Sequence, residues 1–485
     1  MEVEYNNPHI YVPAVVIVLA VLYHGYRTLN SPISHIPGPW YTLWTDAVFK
    51  YYRLTGQGAP YVHRLHEKYG TCFLTRGRAY TVNPMRSIHS VKTGYLKSPW
   101  YYKFTGRDQP SIFSATDAPY HRRLRRLLSM PMSESALRTV EPVVRSKASL
   151  AVQRIGEEMK SRGAADVFKW FLFYSTDVIG ELSFGESFRM LELGKKNQYI
   201  TDLESVAKHG ALRTSFPWLH TLSRVLPLPF FRDAGETTRR VGTYGEQSLA
   251  RYKRLVAAEP DNAPETLFRK LFKGGDDGLS DTEILSQART YIIAGSDTTS
   301  NTLTYLVWSV CRSDGIRRRL VEELKALPAD FDETMLKALP YLNQVIDETL
   351  RLYAAVPSGL PRVVPPGGAE LAGHWLPGGS TVTTQAYTLH RDPTVFPRPD
   401  VFDPDRWAAP TKAMKESSMP FGGGSRICIG LHLAKMELRL ATALFFRTFP
   451  DARVSHLEGM SDSDMEEKFY FLVAPKGKRC LIEAR

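Results

Sequence analysis

The chain has 485 residues, 43% of them apolar and 23% charged, an ordinary globular balance. That length allows about three domains and carries no internal repeat or low-complexity tract. A net charge of +12 favours acidic partners such as a membrane surface or an acidic protein. The basic residues are spread along the chain without a nucleic-acid-binding signature, which argues against a nucleic-acid partner.

The first element is an apolar run from Ile10 to Tyr26, broken only by His24. As a helix it spans about 26 Å, which just fits a thin endoplasmic reticulum bilayer of about 27 Å. Pro13 is expected in its first turn, where proline is tolerated. Glu2 and Glu4 stand where a cleaved signal peptide would be basic, and no A-x-A-like site follows, so residues 1–28 read as a retained anchor. Arg27 behind the span predicts a single pass with a lumenal N-terminus and a cytosolic body. Residues 29–40, with Pro37 and Pro39 around Gly38, read as a stiff hinge. Residues 41–485 show no composition break and read as one body.

That body opens with a helix over 61–70 and strand-like runs at 72–75 and 79–82. Helical periodicity dominates from about 117 to 345; after 355, Pro and Gly become frequent and strands short. The fold class is mainly α with small β-sheets (α+β), a helix-rich core with peripheral sheets. Ser280 and Glu283 form a capping box ahead of a helix running to about Arg312. In its middle lies Ala294-Gly295-Ser296-Asp297-Thr298-Thr299. Glycine there costs about 1 kcal/mol against alanine, and threonine hydroxyls bend helices by bonding one turn back. The segment is either a small-residue packing face or a local opening.

The four cysteines, Cys72, Cys311, Cys428 and Cys480, are too few and too far apart for a disulfide framework or a zinc site of paired ligands. The soluble part is expected in a reducing compartment. Cys428 alone has a special setting, Phe421-Gly422-Gly423-Gly424-Ser425-Arg426-Ile427-Cys428-Ile429-Gly430. Glycines permit a tight loop, and an amphipathic helix begins just after Gly430, whose free amides stabilise a thiolate. A catalytic nucleophile would need a histidine partner; His432 is near, but no cysteine-protease signature surrounds it.

This loop resembles the haem-binding signature of the cytochrome P450 family, F-x-x-G-x-R-x-C-x-G, at every fixed position, from Phe421 to Gly430. The resemblance implies that Cys428 is the axial thiolate of haem b, a ligand that favours O–O cleavage. It implies that Arg426 pairs with a haem propionate. Further matches follow the family's order. Glu348 and Arg351, three apart on one helix face, resemble the E-x-x-R pair; taken alone they would be a surface ion pair worth under about 1 kcal/mol. Phe402, Pro404 and Arg406 resemble the element whose arginine joins that pair. Residues 294–299 resemble the oxygen-activation motif, in which Thr298 holds water and Asp297 relays protons. His121 and Arg125, one turn apart, resemble the pair that reaches one propionate, and Arg362 another propionate partner. Arg122, Arg123 and Arg126 read as a solvated basic face or a docking surface for an acidic reductase.

The resemblance implies a membrane-bound monooxygenase that inserts one atom of O2 into a hydrophobic small molecule, as in fungal secondary metabolism of polyketides, alkaloids or terpenoids. No G-x-G-x-x-G follows a strand, so NADPH electrons must come through a separate reductase. The expected pocket comprises residues 100–113, 212–219, Tyr291, Ala294, 356–360, Phe469 and Tyr470, largely aromatic and apolar. Ring coupling or desaturation by the same oxidant remains an alternative outcome. A haem protein without oxygenase activity, or one that rearranges an oxygenated substrate, is disfavoured by the intact Asp297 and Thr298.

Overall fold

Helix α1 runs Pro8–Leu29 in the computed structural model, which describes residues 8–75, 78–82, 88–90, 93–105, 109–202, 205, 215–216, 229–258, 266–269 and 278–484. Its start lies earlier than expected, because Pro8 suits the first helical position. Pro13 therefore sits inside the helix rather than in its first turn. The window Val12–Leu29 has a mean hydropathy of 1.5 and is almost wholly exposed. Among the described residues it is the one helix long and apolar enough to cross a membrane.

Two short helices follow, α2 (Ala47–Leu54) and α3 (Gly58–Tyr69). They lead into a sheet of β1 (Cys72–Thr75), β2 (Arg78–Thr81), β3 (Leu96–Lys97), β4 (Gly359–Val363) and β5 (Thr381–Gln385), in the order β1-β2-β5-β4-β3. Only β2 and β5 run parallel. The helix-rich body contains α4 (Trp100–Thr105), α5 (Ala118–Ser129), α6 (Glu141–Arg162) and α7 (Val167–Phe184), then α8 (Asp281–Cys311), α9 (Pro340–Leu352) and α10 (Leu431–Thr448).

The expected capping box opens α8: the Ser280 hydroxyl accepts from Glu283 N, and the Glu283 carboxylate accepts from Ser280 N. Helix α8 packs most extensively on α7, and α10 packs on α6 and α8. Gly295 sets the α7–α8 approach, since a Cβ there would lie 2.9 Å from Ile179 Cγ1. The Ser175 hydroxyl of α7 donates to Ser296 O of α8 at 2.7 Å. The mid-helix glycine is thus a packing contact, whatever else the segment does.

Candidate active site

The cysteine loop folds back on itself. Cys428 N donates to Phe421 O at 2.9 Å, with Gly422 (φ +70°) and Gly424 (φ +61°) in the left-handed region that glycine tolerates. At Gly424 a Cβ would stand 1.5 Å from His89 O, so this loop presses directly on the backbone before β3. Arg125 of α5 reaches the same loop and donates from Nη1 to Ile427 O at 2.5 Å. Burial raises the Cys428 thiol pKa, opposed by a hydrogen bond from the Gly430 amide and by the Arg125 charge.

The cysteine nevertheless carries accessible surface, whereas Cys72, Cys311 and Cys480 are buried. Burial alone pushes the Cys72 thiol up to about 11, and no hydrogen bond from an amide offsets it.

Beside this loop lies a cluster of cations. Lys97 of β3 and Arg362 of β4 are direct cross-strand partners, so both project from one face of the sheet. Lys97 Nζ donates to Ile112 O at 3.0 Å and Phe113 O at 2.6 Å. Burial, then the charges of Arg362, Arg426 and Arg125, hold its pKa well below the ordinary lysine value.

Arg362 Nη2 donates to His89 Nδ1 at 3.3 Å, which leaves Nε2–H of that ring to donate to Thr384 Oγ1 at 2.6 Å. Burial and Arg362 depress His89 to about 3, so the ring is neutral. Arg362 Nη1 and Arg426 Nη1 are buried and unpartnered. His121, one turn before Arg125, is buried. Among the described residues no carboxylate forms an ion pair with Lys97, Arg125, Arg362 or Arg426. Like charges placed opposite each other are destabilising unless an anion lies between them.

Across α8, Ala294 is exposed although its helix is largely buried. The Thr298 hydroxyl donates to Ala294 O at 2.6 Å, leaving its oxygen lone pairs to accept. Asp297 is partly exposed. The Tyr291 hydroxyl is buried without a partner, and burial raises its pKa.

Behind the loop, Glu348 and Arg351 are fully buried rather than a surface pair. Arg406 Nε joins Glu348 at 3.0 Å, and Trp407 Nε1 donates to the same carboxylate at 2.9 Å. One expectation is corrected. Arg123 does not belong to a solvated basic face, because it donates to Glu283 Oε1 at 2.7 Å and Gly278 O at 2.5 Å, tying α5 to the start of α8. Arg122 and Arg126 are exposed. Of the expected pocket, residues 212–219 lie outside the described residues except for Ser215 and Phe216, and 106–108 fall outside as well. Lys97 and His89 had no sequence signal: a lone lysine and a lone histidine acquire meaning only through strand pairing.

An exposed cysteine in a glycine loop, beside cations with no carboxylate ion-pair partner among the described residues, is the arrangement of a haem-thiolate site. The family model for cytochrome P450 matches residues 37–481, and the chain belongs to that family. It is 47% identical over 475 residues, 97% of each chain, to the cytochrome P450 monooxygenase tazI of Aspergillus terreus. It is 42% identical over the whole of both chains to the monooxygenase orf2 of Aspergillus niger. It is 31% identical to the averantin hydroxylase of Dothistroma septosporum, over 86% of this chain and 80% of that one. The chain is therefore a monooxygenase of fungal secondary-metabolism type, using a haem-thiolate cofactor and electrons from a redox partner. The residues present fit that cofactor: one soft ligand, and cations with buried unpartnered N–H groups for two carboxylates.

Proposed function

We propose that Cys428 ligates the iron of haem b, and that His121, Arg125, Arg362 and Arg426, joined by Lys97, hold the propionates. Phe421 and Gly430 shape the sulfur's surroundings, the Gly430 amide limiting its basicity. When bound, haem would supply the redox chemistry that activates O2 for transfer of one of its atoms to substrate. The protein supplies protons and position. Thr298, its own hydrogen spent on Ala294 O, accepts from a water and fixes it; Asp297 relays protons to that water from solvent. Glu348, Arg351 and Arg406 are structural and brace the loop from behind.

Electrons come from NADPH through a separate reductase that docks on exposed basic residues. Residues 1–28 anchor the enzyme in the endoplasmic reticulum membrane, 29–40 form the hinge, and 41–485 face the cytosol. Deleting the first 28 residues should release haem-loaded protein from membranes. The substrate is a hydrophobic small molecule, and the name of the Dothistroma relative supports hydroxylation as the outcome. The observation that carries this reading is exposed Cys428 in its glycine loop, beside cations that have no carboxylate ion-pair partner among the described residues. Its test is the Soret band of the reduced carbon monoxide complex. Cys428→Ala should abolish the band, and serine at Cys72, Cys311 or Cys480 should leave it. A surviving band in Cys428→Ala refutes the assignment.

A further inference from the structure

The sheet that carries Lys97 and Arg362 on one face has a cleft on the other. Side chains alternate along a strand. On β4, Leu360 meets the cysteine loop at Gly422 and Arg362 joins the cation cluster, while Gly359 and Pro361 face away. Pairing puts Thr383 and Gln385 of β5 on that second face, and Arg78 and Tyr80 of β2 beside them. These residues line a cleft, partly open to solvent, whose other walls are α2, α4 and the segment 469–471.

The cleft has two kinds of wall. One is aromatic: Trp100 stacks on Phe104 at 4.9 Å between ring centroids, and Phe471 lies 5.0 Å from Phe104. The other is cationic: Arg53 from α2 and Arg78 from β2 share it. Burial, then the Arg78 charge, lowers the Arg53 pKa, against the opposing influence of Tyr80 and the Asp46 carboxylate. Arg53 Nη2 donates to Ser215, and Arg78 hydrogen-bonds the Tyr80 hydroxyl. Thr383 Oγ1 and Trp100 Nε1 are buried and unpartnered in the same lining. The aromatic wall continues inward. Phe113 lies 5.8 Å from Phe471 and under Lys97 Nζ at 5.5 Å, so the cleft and the Cys428 side meet through one aromatic cluster.

We propose that this cleft is the entry subsite for the acidic end of the substrate, a flat aromatic small molecule bearing a carboxylate. Arg53 and Arg78 grip the carboxylate, the planar geometry guanidinium matches best. Trp100, Phe104 and Phe471 take the rings. The inference rests on the monooxygenase reading of the Cys428 site and narrows its substrate class.

The test uses the full-length, haem-loaded enzyme in detergent micelles, with 9-anthracenecarboxylic acid and its methyl ester as probes in equilibrium dialysis. The quantity read is the acid-to-ester affinity ratio, compared between proteins so that micelle partitioning cancels. Wild type should favour the acid by about tenfold or more, as charge-assisted hydrogen bonds do. Arg78→Gln should lower the ratio several-fold with ester affinity unchanged, and the double variant with Arg53→Gln should remove the preference.

Arg53 also holds Ser215, so Arg78→Gln decides the matter, provided its carbon monoxide band is intact. An unchanged ratio in Arg78→Gln overturns the proposal. So does a second pattern, in which the variants lose binding to phosphatidic acid vesicles but keep the ratio, which would make the cleft a lipid headgroup site. A wild-type protein without the carbon monoxide band overturns the haem-thiolate reading instead, and the dialysis ratio remains readable on its own.

Discussion

Replacing Glu348 by glutamine tests whether the buried ion pair holds the cysteine loop. The carboxylate receives five donors. Oε1 accepts from Arg351 Nη2 at 2.8 Å, Arg406 Nε at 3.0 Å and Asp403 N at 2.9 Å. Oε2 accepts from Arg351 Nε and Trp407 Nε1, both at 2.9 Å. Glutamine keeps one acceptor oxygen and turns an NH2 group against the remaining donors. It also strips the counter-charge from Arg351, which has no solvent exposure. Breaking a buried pair from one side costs about 3–5 kcal/mol, a large part of the roughly 5–15 kcal/mol that holds a typical domain together.

The damage has a route to the loop. Arg351 O accepts from His390 Nδ1 at 2.7 Å, His390 Nε2 accepts from Met419 N at 2.9 Å, and Met419 O accepts from Gly422 N at 3.0 Å. Burial holds His390 near a pKa of about 3, so its ring can play both parts as the neutral form. Purified Glu348→Gln should show a much reduced carbon monoxide Soret band per protein and an unfolding free energy, from urea titration, lower by several kcal/mol. Full haem content with stability within about 1 kcal/mol of wild type would refute the reasoning.

Three further outcomes follow from the same geometry. Gly424→Ala should lose most haem, because its Cβ would overlap His89 O, whereas Gly459→Ala, equally left-handed (φ +69°) but with nothing near it, should cost only about 1–2 kcal/mol; equal haem content in both would sink the argument. Glu437 on α10 is raised to about 8 by burial, against a hydrogen bond from Thr299. A carboxyl with a raised folded pKa binds a proton the unfolded chain has released. Wild type should therefore lose stability from pH 5 to pH 8 while Glu437→Gln loses less, by at least about 1 kcal/mol in urea titrations, and parallel pH profiles would exclude this. Thr298→Val should keep haem and NADPH consumption but divert electrons to hydrogen peroxide; an unchanged ratio of product to NADPH removes Thr298 from the mechanism.

Legibility followed sequence distance. The capping box at Ser280, the glycine loop before Cys428 and the helix spacing of Glu348 and Arg351 are local patterns, and local geometry dictates them. That Glu348 is wholly buried was not local, since its burial depends on Arg406 and Trp407 arriving 58 and 59 residues later. Arg123 looked solvated because its neighbours Arg122 and Arg126 are, and its true partner Glu283 lies 160 residues away. Lys97 was silent for the same reason: a strand of two residues carries no period, and only the register against β4 gives it Arg362 as a neighbour.

Register is also what keeps the two faces of the sheet chemically apart. A slip of one residue in β4 would turn Arg362 toward the cleft and Pro361 toward the cysteine loop. The observed pairing resists that slip sterically. Gly359 stands where a Cβ would meet Thr383 Cγ2 at 2.1 Å, so the threonine methyl occupies the space a larger residue would need. Moving Leu360 into that place would create the overlap that glycine avoids. Thr384, the next residue of β5, points the other way and holds His89, which holds Arg362. One strand thus fixes the hydrogen-bond chain behind the cation cluster with one set of side chains and the cleft wall with the other. Substitutions at Gly359 or Thr383, which never touch the thiol, should therefore disturb both sites together, whereas Arg78 should affect the cleft alone.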